Sequence, residues 1–245
     1  MIPVRRPRAG AALDLQTRCY LDARQFAART WSPGDPQISA AWANFLRTPA
    51  RQRIATALDD CFHSKCAYCE QVAAKDIEHF FPKSAYPNRM FRWDNFLRGC
   101  KNCNNAKRDQ FPTFRRRPLL LDPCTDDPLD YFAYDFATGV TGINSHPDRI
   151  RRGMATRDLF QLDQEPLREE RRIKLSAVTY LLARVVEEEP VTRETRIRLQ
   201  QELLPSRPWL AIVRSLFRRD SDYTPLVRLA REKLPEIEDW VSTWI

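Results

Sequence analysis

The chain has 245 residues, 43% of them apolar and 29% charged, and a formal net charge of +8, an ordinary composition for a globular protein. No run reaches the roughly 18 apolar residues of a membrane span, and neither GxGxxG nor GxxxxGKS/T occurs, which leaves the common nucleotide loops without support. The basic start MIPVRRPRAGAAL lacks the apolar stretch of a signal peptide, so the expected location is cytoplasmic, with no membrane partner.

In chain order, residues 1–18 read as irregular. Three helices are expected next: Leu21–Ala28, Pro36–Leu46 and Pro49 to about Phe62. The second carries Ile38, Ala41, Trp42 and Phe45 on one stripe, and the third Ile54, Leu58 and Phe62 at four-residue spacing. Both stripes, Trp42 included, read as core. A strand is expected around Ile77–Phe81, and a helix start after Cys103. The aromatic alternation of YFAYDFATGVTGI at 131–143 predicts a hairpin with a Gly turn. The last hundred residues read as mostly helical, with segments Glu169–Glu188, Arg193–Leu204, Pro208–Phe217, Pro225–Leu234 and Pro235–Trp244. Each of the last three opens on a proline suited to a first helical turn, and Trp209, Trp240 and Trp244 read as packing residues.

Seven cysteines, an odd number, argue against a disulfide framework. Cys66-Ala-Tyr-Cys69 and Cys100-Lys-Asn-Cys103 form a CxxC…CxxC set with 30 residues between the pairs. Two intervening residues let both thiolates of a pair face one ion, and four thiolates match tetrahedral Zn²⁺. A closed four-cysteine shell has no open position, so this zinc is expected to be structural, stapling a small module. Cys61 lies near enough in sequence to compete as a ligand but reads as buried or free. The positive charge gathers in the same stretch: residues 61–120 hold twelve basic and five acidic side chains, whereas 121–150 hold one and six. A field of that sign attracts polyanions, and the tract Arg115, Arg116, Arg117 adds to it.

Between and beside the cysteine pairs stand DIEHFFPKS, WDNFL and CNNAK. With the pairs, this order resembles the HNH endonuclease superfamily. The form Cys-Ala-Tyr-Cys-Glu, Ile-Glu-His-Phe-x-Pro-Lys-Ser and Cys-x-x-Cys-Asn is similar to the HNH nuclease subunit (the PtuB group) of Septu-type anti-phage defence systems. The motifs cover residues 66–107. The resemblance implies a mainly α chain with a small inserted ββα-metal (HNH) module, stapled by the four-cysteine zinc site, plus a short β-hairpin. By position it makes Glu78 a ligand of a catalytic Mg²⁺ or Mn²⁺, His79 the general base, Asn95 the brace of the loop that presents the histidine, and Asn104 a second metal ligand. Glu78 and His79 are adjacent, and on a regular strand they would point to opposite faces, so the strand must end or bend there. Asp76 has no clear role and could orient His79. Lys83, Arg89, Arg92, Arg98, Lys101, Lys107 and Arg108 surround the motif and are expected to contact nucleic-acid backbone, not bases.

The expected division is 1–62 (N-terminal helical region), 63–118 (nuclease core), 119–147 (acidic linker and hairpin) and 148–245 (C-terminal helical region, a candidate docking surface). The expected function is metal-dependent hydrolysis of DNA phosphodiesters by the effector nuclease of an anti-phage complex. The resemblance also implies an ABC/SMC-like ATPase partner, since this sequence has no nucleotide motif of its own. The alternatives are a non-catalytic zinc-knuckle binding or assembly module, and an HNH restriction-type nuclease that acts alone.

Overall fold

The structure is a computed structural model. It describes residues 1–72, 74–218 and 221–243, apart from the side chain of Asp148. Two compact units divide the chain, Val4–Cys124 and a second made of Met1–Pro3 with Thr125–Ile245.

In the Val4–Cys124 unit a short helix α1 (Ala9–Ala12) leads into α2 (Leu15–Ala28), α3 (Pro36–Phe45) and α4 (Pro49–Phe62). The helix expected from Leu21 thus begins six residues earlier, because Asp14 caps it: its carboxylate accepts from the backbone N–H of Thr17 at 2.7 Å. Asp35 and Thr48 cap α3 and α4 in the same way, each followed by a proline in the first turn. His63 ends α4 in the left-handed conformation. Ile38, Phe45, Ile54, Leu58 and Phe62 are buried as their spacing predicts. Two strands, β1 (Asp76–His79) and β2 (Phe96–Gly99), then pair antiparallel with Glu78 opposite Leu97 and His79 opposite Phe96. Helix α5 (Lys101–Lys107) follows β2 directly and packs on β1. Phe45, Phe91 and Phe96 form an aromatic core beneath the pair.

A second hairpin, absent from the expected elements, joins β3 (Thr113–Phe114) to β4 (Arg117–Pro118). Its two turn residues, Arg115 and Arg116, both have positive φ, 49° and 63°. That is the backbone of a type I′ turn, which usually draws Asn and Gly. With arginines in those places, local sequence gave no turn signal.

In the other unit, β5 (Phe132–Tyr134) pairs antiparallel with β6 (Thr141–Ile143), which is the hairpin expected at 131–143. Gly139 has φ +70°, and a Cβ there would lie 2.3 Å from the Arg168 carbonyl oxygen, so only glycine fits the turn. Six helices follow: α6 (Pro147–Leu159), α7 (Leu167–Glu187), α8 (Arg193–Glu202), α9 (Leu210–Arg218), α10 (Thr224–Lys233) and α11 (Glu236–Ser242). Helix α7 packs against α8, α9 and α10 through Leu175, Val178, Leu182 and Val185. Pro208 does not open α9 as expected: Trp209 has φ +58°, outside helical space, and the helix starts one residue later. Trp209 is buried, and Trp244 lies outside the described residues. No helix of the described residues is long and apolar enough to cross a membrane. The chain is mainly α-helical with three two-stranded sheets among the described residues.

Candidate functional site

The four paired cysteines come together. The Sγ atoms of Cys66, Cys69, Cys100 and Cys103 lie within 4.8 Å of one another, the one group of three or more His, Cys, Asp or Glu in ligand range among the described residues. Backbone geometry presents them. The first knuckle turns back so that the Cys66 N–H donates to the Gln71 carbonyl at 2.9 Å, with Glu70 at positive φ. The second knuckle is the first turn of α5, where Cys100 caps the helix by accepting from the Cys103 N–H at 3.4 Å. Zn–S bonds of about 2.3 Å set the edge of a tetrahedron at roughly 3.8 Å, and Cys69 Sγ to Cys100 Sγ is 3.7 Å. Three of the four are buried. The cluster is therefore capable of holding a metal ion such as Zn²⁺. Cys61 stands outside it, half-buried on α4, where burial pushes its thiol up.

Beside the cluster, β1, α3 and α5 wall a polar cavity of about 340 Å³. Trp42, Ile77, Glu78, His79, Pro82, Lys83, Asn104, Lys107, Arg108 and Asp109 line it. Glu78 and His79 both reach the cavity because β1 stops at His79, which resolves the conflict of adjacent residues on opposite strand faces. The His79 ring packs edge-on against Trp42, with centroids 4.5 Å apart, and against Phe96 at 5.4 Å. Its Nε2 is 2.9 Å from the Met90 carbonyl oxygen. A carbonyl only accepts, so Nε2 carries the proton and Nδ1 keeps a free lone pair. Burial lowers the His79 pKa to about 3, helped by the positive charge of Lys83, so the ring is neutral at ordinary pH.

Glu78 is buried against the ammonium of Lys107, with Nζ 2.7 Å from Oε1. Burial raises the Glu78 carboxyl, and Lys107 opposes that rise. Lys107 also donates to the His79 carbonyl at 2.7 Å. Asn104 lies one turn before Lys107 on α5, and its Nδ2 donates to Asp76 at 2.9 Å. Asp76 therefore holds Asn104 and not His79, which Met90 holds instead. Asn95 does not line the cavity. Its side chain clasps the segment after β1, accepting from the Phe81 N–H at 2.7 Å and donating to the carbonyls of Phe81 and Arg89 at 3.0 Å each.

The basic residues divide. Lys83 and Arg108 line the cavity, Lys83 with its Nζ 5.8 Å from the Trp42 ring centroid. Lys101 is exposed, and Arg89 stacks 4.1 Å over Phe81. Arg92 is exposed but bound to Asp94 at 2.5 Å. Two expectations are corrected. Arg98 is 5% exposed, ion-paired to Asp59 at 2.7 Å and bonded to the Lys75 carbonyl, so it ties β2 to α4 and offers nothing to a phosphate. The Lys107 charge is likewise committed, inside the protein, to Glu78 and the His79 carbonyl. Trp42, read from its stripe as core, is a cavity wall and the edge partner of His79. The stripe could not show this, since a helix ridge next to a cavity has the same spacing as one inside a core.

A four-cysteine cluster capable of holding a metal ion thus stands beside a cavity lined by a histidine, a carboxylate and an amide. No family model matches the chain. It is similar to two Septu proteins PtuB: one from Bacillus mycoides (strain KBAB4), 29% identical over 46% of this chain and 48% of the relative, and one from Bacillus thuringiensis, 34% identical over 32% and 31%. It is also similar to the Septu protein PtuA of Bacillus mycoides (strain KBAB4), 28% identical over 45% of this chain and 19% of that protein. The chain thus spans about half the length, or less, of these relatives.

Proposed function

We propose that the chain is a metal-dependent HNH-type endonuclease hydrolysing DNA phosphodiesters, and the effector of an ATPase-coupled anti-phage complex. The observation that carries this reading is the meeting of Glu78, His79 and Asn104 on one polar cavity next to the four-cysteine cluster. The similarity to Septu PtuB and PtuA supports a Septu setting and a PtuA-like partner; that the partner is an ABC/SMC-like ATPase is what the motif resemblance implies. In this reading β1, β2 and α5 are the ββα-metal unit and a Zn²⁺ held by the cysteines fixes its frame.

His79 is the general base, acting through Nδ1, because Nε2–H is spent on Met90. It takes a proton from water as the water oxygen bonds to phosphorus. The P–O3′ bond then breaks, the 3′ oxygen leaves and takes a proton from solvent water, and His79 returns its proton to solvent. Glu78 offers the lone pairs of Oε2, and Asn104 its amide oxygen, to Mg²⁺ or Mn²⁺. Two protein oxygens suit such an ion, which keeps several waters. When bound, the ion neutralises charge on the phosphate and the leaving oxygen. Lys107 holds Glu78 in place from the protein side, and Asp76 orients Asn104. Asn95 is a positioning residue, clasping the segment that follows His79. Lys83 and Arg108, with Lys101 and Arg89 farther out, contact phosphates.

The test is cleavage of double- and single-stranded DNA, with an RNA control, by wild type and His79→Ala, with Mg²⁺ or Mn²⁺ and the ATPase partner present. Wild-type DNA cleavage that is lost in the variant and on omission of divalent ions is expected. Cleavage that survives both changes would overturn the reading. Binding of nucleic acid without cleavage, indifferent to His79→Ala and Asn104→Ala, would favour a binding module.

A further inference from the structure

The β3–β4 hairpin carries the densest positive charge in the chain, yet the cavity does not use it. Residues 113–117 are all exposed, and Phe114 is 42% exposed. Among the described residues Arg115, Arg116 and Arg117 form no ion pair, and the Arg115 guanidinium rests 5.2 Å over the Phe114 ring. The turn is held in an unfavourable backbone: two successive arginines at positive φ, where a glycine or asparagine would sit without cost. Strain of this kind persists where a side chain is needed at that place. The segment that leads into the hairpin packs against the segment that follows His79. Phe111 packs on Phe80 at 5.4 Å and on Phe81 at 4.9 Å, the two residues that follow His79.

We propose that this hairpin is an arm that grips the phosphate backbone of duplex DNA beside the cavity, with Arg115 and Arg116 as its phosphate-binding residues. The proposal rests on the nuclease reading and extends its contact surface beyond the motif. Arginine is the residue suited to this task, because its planar fork can meet two phosphate oxygens at once. The turn carries two such residues in succession, both exposed, at the end of a two-stranded support. Among the described residues no carboxylate is ion-paired to them, and the stretch from 61 to 120 carries twelve basic side chains against five acidic. A field of that sign favours a polyanion over an acidic peptide with few charges.

The double variant Arg115→Asn/Arg116→Gly keeps the turn and removes both charges. Affinity of the full chain for a fluorescein-labelled duplex, without added Mg²⁺ or Mn²⁺, is measured across a salt series, together with the thermal midpoint. The expected result is weaker binding and a plot of log K against log salt shallower by about 1.8, from two lost phosphate contacts at about 0.9 each, with a midpoint equal to or above that of wild type. Wild-type affinity and slope in the variant would overturn the arm and leave the nuclease reading standing. Absence of salt-dependent duplex binding in wild type itself would overturn both.

Discussion

His79 shows how one side chain couples stability to chemistry. In the folded chain its pKa is lowered to about 3 by burial, whereas an unfolded histidine titrates near 6.5. Below about 6.5 the unfolded chain takes up a proton that the folded chain refuses. The contribution of this group is therefore whole above that pH and is lost as pH falls toward 3, with a slope of at most about 1.4 kcal/mol per pH unit. Denaturant titrations at several pH values should show that slope in wild type and its loss in His79→Gln. Lys107 gives a sharper case. Removing it strands the Glu78 carboxylate, which is 4% exposed, so Lys107→Ala is expected to cost about 3–5 kcal/mol, read from the urea midpoint. A cost below about 1 kcal/mol would mean that water reaches Glu78 freely. The cysteine pairs were legible in the sequence because their spacing marks them, and Glu78–His79 was legible only through the resemblance of the motif order around it. The Lys107–Glu78 pair was not, because 29 residues separate its members and nothing local announces that they meet.

At the scale of elements, the second knuckle and α5 are one object. Cys100 caps the helix and Cys103 lies in its first turn, so two of the four sulfurs that could hold a metal ion sit where the helix starts. Cys103→Ser is expected to lower both the metal content and the thermal midpoint, whereas His79→Ala keeps the metal. A variant free of metal with an unchanged midpoint would contradict that link. The hairpin at 113–118 carries the opposite expectation for stability: Arg115→Asn/Arg116→Gly should raise it by up to about 1 kcal/mol by removing left-handed arginines. Most helices were legible from their apolar stripes, with ends off by a few residues where a cap such as Asp14 outweighed the stripe. Helix α1, in the stretch read as irregular, helix α6 and the β3–β4 hairpin were not. Helix α6 has few apolar residues to show a period, and β3–β4 are too short to alternate.

Over the whole chain, the segment 63–118, expected as the nuclease core, packs with helices that precede it. The cavity wall Trp42 comes from α3, and α4 packs on β2, so Val4–Cys124 forms one compact unit. The second unit has its own helical core around α7. Each should unfold as its own cooperative block. Calorimetry with a chelator is expected to lower one transition and leave the other in place, and a single transition that moves as a whole would count against separate blocks.

Helix α5 has only seven residues, too few to persist alone, and is pinned at its first turn by two thiols and at its last by the Lys107 ammonium. Lys107 stands four positions after Cys103, and each residue advances the helix by about 100°. A single insertion between them would swing Lys107 a quarter-turn or more away from Glu78 while every letter of the motif survived. What the stretch Cys-Asn-Asn-Ala-Lys fixes in space is a phase angle, so a variant with an altered count there would need a different way to quiet the buried carboxylate.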